Sequence, residues 1–212
     1  MAVSLKLSKE PVEGSLPLKF MALFDPYLQS LDFSLTSYQQ YDVGSYSFTE
    51  RSKTNALFCF TLYGFGHFKY IQSLMDNSHT TIATKTKYRK FVNSSLLERR
   101  YRTEYTQERE NVYVDYKIKK IILNPYFSPL MASDDQLKGL PNTYLTLSGY
   151  NVLRDEGMIL AERLRLLNHV ITYNYLEGRS YGILRNVHFR SSTEEYVRLA
   201  LYINRTFGRE VH

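Results

Sequence analysis

The sequence predicts an α/β protein with parallel strands and crossover helices, and three observations in its last third carry that prediction. Thr143-Tyr-Leu-Thr-Leu-Ser148 alternates and is rich in β-branched and aromatic residues, the pattern of a strand. Leu153, Gly157, Leu160, Leu164 and Leu167 then recur at spacings of 4, 3, 4 and 3, which places them on one face of a helix. Val170-Ile-Thr-Tyr-Asn-Tyr175 follows as a second strand, closing at Gly178. Strand, helix and strand at this spacing argue for a parallel sheet with helices packed against it.

Taken in order, the remaining elements fit around this unit. Leu18 to Phe24 is a short apolar run bounded by Pro17 and Pro26, which reads as a buried strand. Residues 29–50, rich in Ser, Thr, Tyr and Gln, read as loop. Asn55 to Met75 is apolar enough for a helix, although Gly64 and Gly66 each cost roughly 1 kcal/mol relative to alanine. The stretch from Lys85 to Arg102 reads as mixed loop and short helix. Asp155 and Glu156 fall in the first turn of the 153–167 helix, where the helix dipole favours negative charge, and capping is the expected use of Asp155. Ser192-Thr-Glu-Glu195 has the form of a capping box, opening a last helix with Tyr196, Ala200, Ile203 and Phe207 on one face. In parallel sheets function gathers in loops after the strands, here Gly149–Leu153 and Glu177–Ile183.

Composition narrows the function classes. The 212 residues fit one domain, and 43% hydrophobic with 23% charged residues excludes collagen-like or wholly disordered chains. A single cysteine, Cys59, rules out an internal disulfide and the usual cysteine-based zinc sets. The N-terminus lacks the apolar core of a signal peptide. The most apolar stretch, Ala56 to Phe68, is too short for a bilayer span of about 20 residues. No membrane anchor is therefore expected in this chain, which reads as cytosolic by default.

The net charge of +6 is concentrated in residues 85–102. There Lys85, Lys87, Arg89, Lys90, Arg99, Arg100 and Arg102 face only Glu98, with Tyr88, Phe91 and Tyr101 interleaved. Such a stripe can be a nucleic-acid footprint. Without an RNP, zinc-finger or KH signature it reads instead as a solvated connecting segment, and no nucleic acid partner is expected. His67, His79, His169 and His212 show no metal-ligand spacing, and Asp134-Asp135 reads as a turn or helix start. Gly64-Phe-Gly66 lacks the third glycine of a dinucleotide fingerprint, so no cofactor or metal is expected.

Several separated motifs resemble one family. Tyr27-Leu-Gln-Ser-Leu-Asp32, Ser37-Tyr-Gln39, Lys90-Phe-Val-Asn-Ser-Ser-Leu-Leu97, Ser128-Pro-Leu-Met-Ala132 and Leu140-Pro-Asn-Thr-Tyr144 occur in its order. So do Gly149-Tyr-Asn-Val-Leu-Arg-Asp-Glu-Gly157, Ala161-Glu-Arg-Leu164 and Tyr175-Leu-Glu-Gly-Arg-Ser-Tyr-Gly182. Together they resemble the hormone-sensitive-lipase group of α/β-hydrolases, most of all its arylacetamide-deacetylase-like members. The likeness spans most of the chain and is thin from about 45 to 85.

The resemblance implies the C-terminal half of an α/β-hydrolase fold, a partial parallel sheet with crossover helices. Residues 1–212 would form a single partial domain, with about 45–120 a cap-like or irregular insertion and 121–212 the two C-terminal strand–helix units. Its three strands would be the last of eight, leaving the first with an open edge and a tendency to self-associate. The resemblance further implies an esterase with a Ser–Asp/Glu–His triad and an HGGG-type oxyanion hole. No HGG run occurs in these residues, and the one G-x-S-x-G match, Gly178-Arg-Ser-Tyr-Gly182, falls in the stretch that resembles the family's base motif, so its Ser180 is not at the nucleophile position. Ala2-Val-Ser-Leu-Lys-Leu resembles the helix after the nucleophile, so Ser4 lies in a helix interior and is no substitute. The family's acid position holds Asn151 and its base position Tyr181, and the interval between them matches the family's. His188, seven residues past Tyr181, has no nucleophile to deprotonate. The chain is therefore expected to be inactive. The alternative is a fragment of an active carboxylic ester or amide hydrolase whose N-terminal half is missing, and a third reading is a basic binding module through residues 85–102. Family members resembling this chain sit in the endoplasmic reticulum membrane with a lumenal catalytic domain. The sequons at Asn93 and Asn204 would carry glycans only in a lumenal chain.

Overall fold

A strand buried on both faces organises the molecule. In the computed structural model, which describes residues 1–41, 73–74, 77–102, 116–180 and 190–208, this is β2, Asn142–Tyr150. Its seven inner residues are all buried, as a parallel strand covered by helices on both sides requires. It pairs in parallel with β1, Phe20–Phe24, on one side and β3, Ile171–Ser180, on the other. The three expected strands are thus present and mutually parallel. β3 runs past Gly178 because that residue, at φ 68°, takes up a register shift between Ser148 and Tyr150 instead of ending the strand.

The helices among the described residues are α1 (Ala2–Lys9), α2 (Thr36–Gln40), α3 (Ile82–Tyr88), α4 (Tyr116–Ile122), α5 (Asp134–Lys138), α6 (Arg154–Leu166) and α7 (Arg190–Thr206). The expected apolar face on α6 buries Gly157, Leu160 and Leu164, with Leu153 at its N-cap. At α5, Asp134 and Asp135 form the first turn behind a capping box between Ser133 and Gln136.

Three expectations need correction. Ser192–Glu195 opens no helix, because α7 already includes Arg190. Glu195 is fully buried and accepts hydrogen bonds from Tyr144 Oη at 2.8 Å, Asn174 Nδ2 at 3.3 Å and Thr146 Oγ1, so the sheet uses the carboxylate that the helix end was expected to use. The sheet-facing side of α7 accordingly carries Ser192, Glu195 and Tyr202; Tyr196 is exposed, and Phe207, just past the helix and half exposed, meets the Phe20 ring of β1 edge-on at 6.0 Å. Residues 29–41, expected as loop, contain α2 and bury Leu31, Phe33, Leu35 and Tyr38. Gln29 Oε1 accepts the Leu31 and Asp32 N–H groups and Asp32 accepts that of Ser34, so side chains satisfy a backbone that leaves water. Lastly, residues 85–102 are not solvated throughout: Lys85 and Tyr101 are buried, and Lys85 Nζ reaches Asn77 O at 3.0 Å and Asp32 Oδ1 at 3.7 Å.

Most of the helix expected over Asn55–Met75 lies outside the described residues. Among the described residues no helix is long and apolar enough to cross a membrane.

Candidate active site at the carboxyl ends of the strands

The ends of β1 and β2 meet in a buried polar corner. Asp25 follows the last residue of β1 in a left-handed conformation, φ 42°, unusual for a residue with a side chain. Its N–H still bonds Thr146 O at 3.0 Å, and its carboxylate accepts from Ser148 N and Ser148 Oγ, each at 2.7 Å. Burial raises the Asp25 carboxyl above its ordinary range against the opposing pull of those bonds. On the loop after β2, Asn151 is fully buried. Its Oδ1 accepts the Leu153 N–H at 2.9 Å, closing the turn into α6, and its Nδ2 lies near Asp25 without a well-formed hydrogen bond.

The next three residues face inward as well. Arg154 is 2% exposed, and its guanidinium carbon stands 4.4 Å from the Tyr101 ring centroid and 5.3 Å from that of Tyr41. Its Nε donates to Asp155 Oδ1 at 2.8 Å and its Nη2 to Gln40 Oε1 at 3.0 Å. Asp155 does not cap its own helix: its Oδ2 accepts the Ser37 N–H at 2.8 Å, tying α6 to α2. Burial moves its carboxyl upward despite Arg154 beside it. Glu156 Oε1 accepts Leu28 N–H at 3.0 Å and its buried Oε2 has no well-formed hydrogen bond; burial holds this carboxyl well above the usual carboxylate range, against the pull of Leu28 and Gln29.

The structure places some expected residues and not others. Ser4 lies inside α1, buried. His79 Nε2 is 2.7 Å from Ser30 O, and His169 sits at the opposite end of the sheet between Thr143 and Pro141. Asn93 N-caps a 3₁₀ turn, accepting from Ser95 N and Oγ, and Asn204 lies within α7. Tyr181, His67, His188 and His212 lie outside the described residues, so no geometry connects the acid and base positions. Among the described residues no group of His, Cys, Asp and Glu could hold a metal ion. Asp25 went unnoticed in the sequence, although a carboxylate between an apolar strand and Pro26 was a visible signal.

A parallel sheet with crossover helices and its polar groups gathered at the carboxyl ends of the strands defines a class of α/β proteins that work at that edge. Residues 71–185 match the family model for the alpha/beta hydrolase fold. The chain belongs to that family and, within it, is arylacetamide-deacetylase-like. It is 30% identical over 186 residues to arylacetamide deacetylase of Bos taurus, covering 86% of this chain and 45% of that one. With neutral cholesterol ester hydrolase 1 of Rattus norvegicus it shares 28% over 172 residues, covering 79% and 41%. A bacterial heroin esterase shares the fold, with a TM-score of 0.56 at 20% identity over 97% of this chain and 47% of that one. The chain spans a little under half the length of the curated relatives it matches.

Proposed function

We propose that this chain is an arylacetamide-deacetylase-like hydrolase-fold protein that does not hydrolyse esters. The observation that carries the reading is Asn151. In the triad mechanism an acid fixes the histidine tautomer and stabilises the imidazolium that forms. Asn151 has no charge to offer, and its one side-chain oxygen is committed to Leu153 N–H. In a serine protease the Asp-to-Asn change alone costs about 10⁴-fold. Tyr181 at the base position supplies no imidazole, these 212 residues contain no HGG, and their one G-x-S-x-G match, Gly178-Arg-Ser-Tyr-Gly182, overlaps that base position. On this reading residues 45–120 are the cap-like insertion and 121–212 the two strand–helix units. The test is hydrolysis of short-chain acyl esters together with labelling by a serine-directed fluorophosphonate. No turnover above a matched blank and no labelled serine are expected. Stoichiometric labelling of one serine, with turnover lost on its mutation, would overturn the proposal.

A second reading follows from the length match. As part of a longer polypeptide the same fold would hydrolyse acyl esters or amides, the chemistry named in its relatives. Expression of a longer form carrying an in-frame HGG and G-x-S-x-G upstream of these residues distinguishes the two, since only the second reading expects turnover there. The basic-module reading loses one of its seven cations, Lys85, which is buried and paired with Asp32.

A further inference from the structure

The polar corner holds a carboxylate, but on a different strand from the one the family uses. We propose that Asp25 is the one carboxylate this corner accommodates, and that it excludes a second at residue 151. The proposal rests on the reading of Asn151 as the acid position, and goes beyond it by naming the residue that keeps the position amidated.

Four observations support it. Asp25 is the residue directly after β1, and its carboxylate is fixed at both oxygens by Ser148, three positions before Asn151. Its left-handed backbone, unfavourable for a residue with a side chain, persists because the Thr146 and Ser148 bonds determine the conformation. The Asn151 amide nitrogen, buried and without a well-formed bond, is the other polar group beside this carboxylate, and the Asn151 oxygen is turned away to Leu153. No charged side chain among the described residues bears on Asp25; burial, Ser148 and Asn151 make up its surroundings. An aspartate at 151 would replace the amide donor by a second carboxylate in a site with no cation to share. Two carboxylates in one buried site cannot both ionise freely, and one of them titrates at strongly raised pH.

The experiment compares four proteins: the natural chain, Asp25→Asn, Asn151→Asp and the double variant. Urea unfolding is followed at pH 5 and pH 8, and the side-chain carboxyl of residue 25 is titrated by carbon NMR. Asn151→Asp is expected to lower the unfolding midpoint more at pH 8 than at pH 5. The sign follows from linkage: a carboxyl raised in the folded state holds a proton that the unfolded chain has released, so stability falls as pH rises above its unfolded value. The Asp25 midpoint should also move up by at least about 1 pH unit in that variant. Adding Asp25→Asn should restore the pH 8 midpoint. Should Asn151→Asp fail to give soluble protein, recovery of soluble protein in the double variant is the expected result. Additive effects of the two substitutions, or a double variant no better than Asn151→Asp, would overturn the proposal. None of these readouts is turnover, so they stand or fall separately from the loss of hydrolysis.

Discussion

Gly157 tests whether α6 is seated on β2 as described. A Cβ built at this position meets the Leu147 side chain, at 3.2 Å from Cγ, 2.8 Å from Cδ1 and closer still to Cδ2, against an ordinary contact of 3.4–4 Å. Leu147 is fully buried on the central strand, so its methyl groups have no solvent to move into. Two effects oppose each other in Gly157→Ala. Alanine favours the helix by about 1 kcal/mol over glycine. Forcing a methyl group into a packed core costs typically 1–3 kcal/mol, and here three atoms of one immobile side chain are met at once. The net expectation is a loss of about 1 kcal/mol, read as a lower urea midpoint at unchanged slope. In a Leu147→Ala background, itself costing about 2–5 kcal/mol, the obstacle is gone and only the helix preference remains. Gly157→Ala should then stabilise by up to about 1 kcal/mol, a reversal of sign and a coupling near 2 kcal/mol. If Gly157→Ala is stabilising in the natural chain, or has the same effect in both backgrounds, the packing of α6 on Leu147 is wrong.

Three further outcomes are expected. Glu156→Gln keeps the acceptor for Leu28 N–H and removes a carboxyl that burial holds well above its ordinary range. The natural chain should match the variant near pH 4 and fall below it progressively toward pH 8, by at most about 1.4 kcal/mol for each pH unit; parallel curves would refute a protonated Glu156. His79, buried and pushed down to about 4, is neutral in the fold, so its contribution to stability is full above about 6.5 and is lost as pH falls toward 4. A proton NMR titration placing its midpoint near 6.5 would contradict that. β1 pairs only with β2 among the described residues, and its other edge should drive concentration-dependent association in sedimentation velocity; a monomer at every concentration would count against it.

α6 was legible in the sequence because burial wrote itself as periodicity, its apolar residues recurring at 3 and 4. β2, buried on both faces, was legible from its β-branched and aromatic content and not from its alternation, which burial does not follow. The polar interior was not legible in the same way. Glu195 and Asp155 look like helix-capping residues, and only the arrival of Tyr144, Asn174 and Ser37 from elsewhere in the chain turns them into cross-braces. Local patterns report what a segment can do for itself, whereas a buried carboxylate is claimed by whichever donors the fold brings near. Asp25 belongs to the same group. Motif comparison pointed at residue 151, but the residue that determines its surroundings is on another strand.

The separation of the two strand pairings has a consequence for how the chain folds. Thr143 and His169, at the start of the β2–α6–β3 unit, are 26 positions apart, whereas Ser148 and Asp25 are 123 apart. Closing the longer loop costs about 1.4 kcal/mol more in chain entropy. The 142–180 unit therefore nucleates first, and β1 docks afterwards onto a strand edge already formed, carrying Asp25 into place as its last residue. On a ribosome this order would reverse the order of synthesis: β1 emerges early and stays unpaired while more than a hundred further residues are added, at about 5–20 per second. For those seconds an apolar strand waits for β2, and holding it apart from other chains falls to the chaperones that meet it.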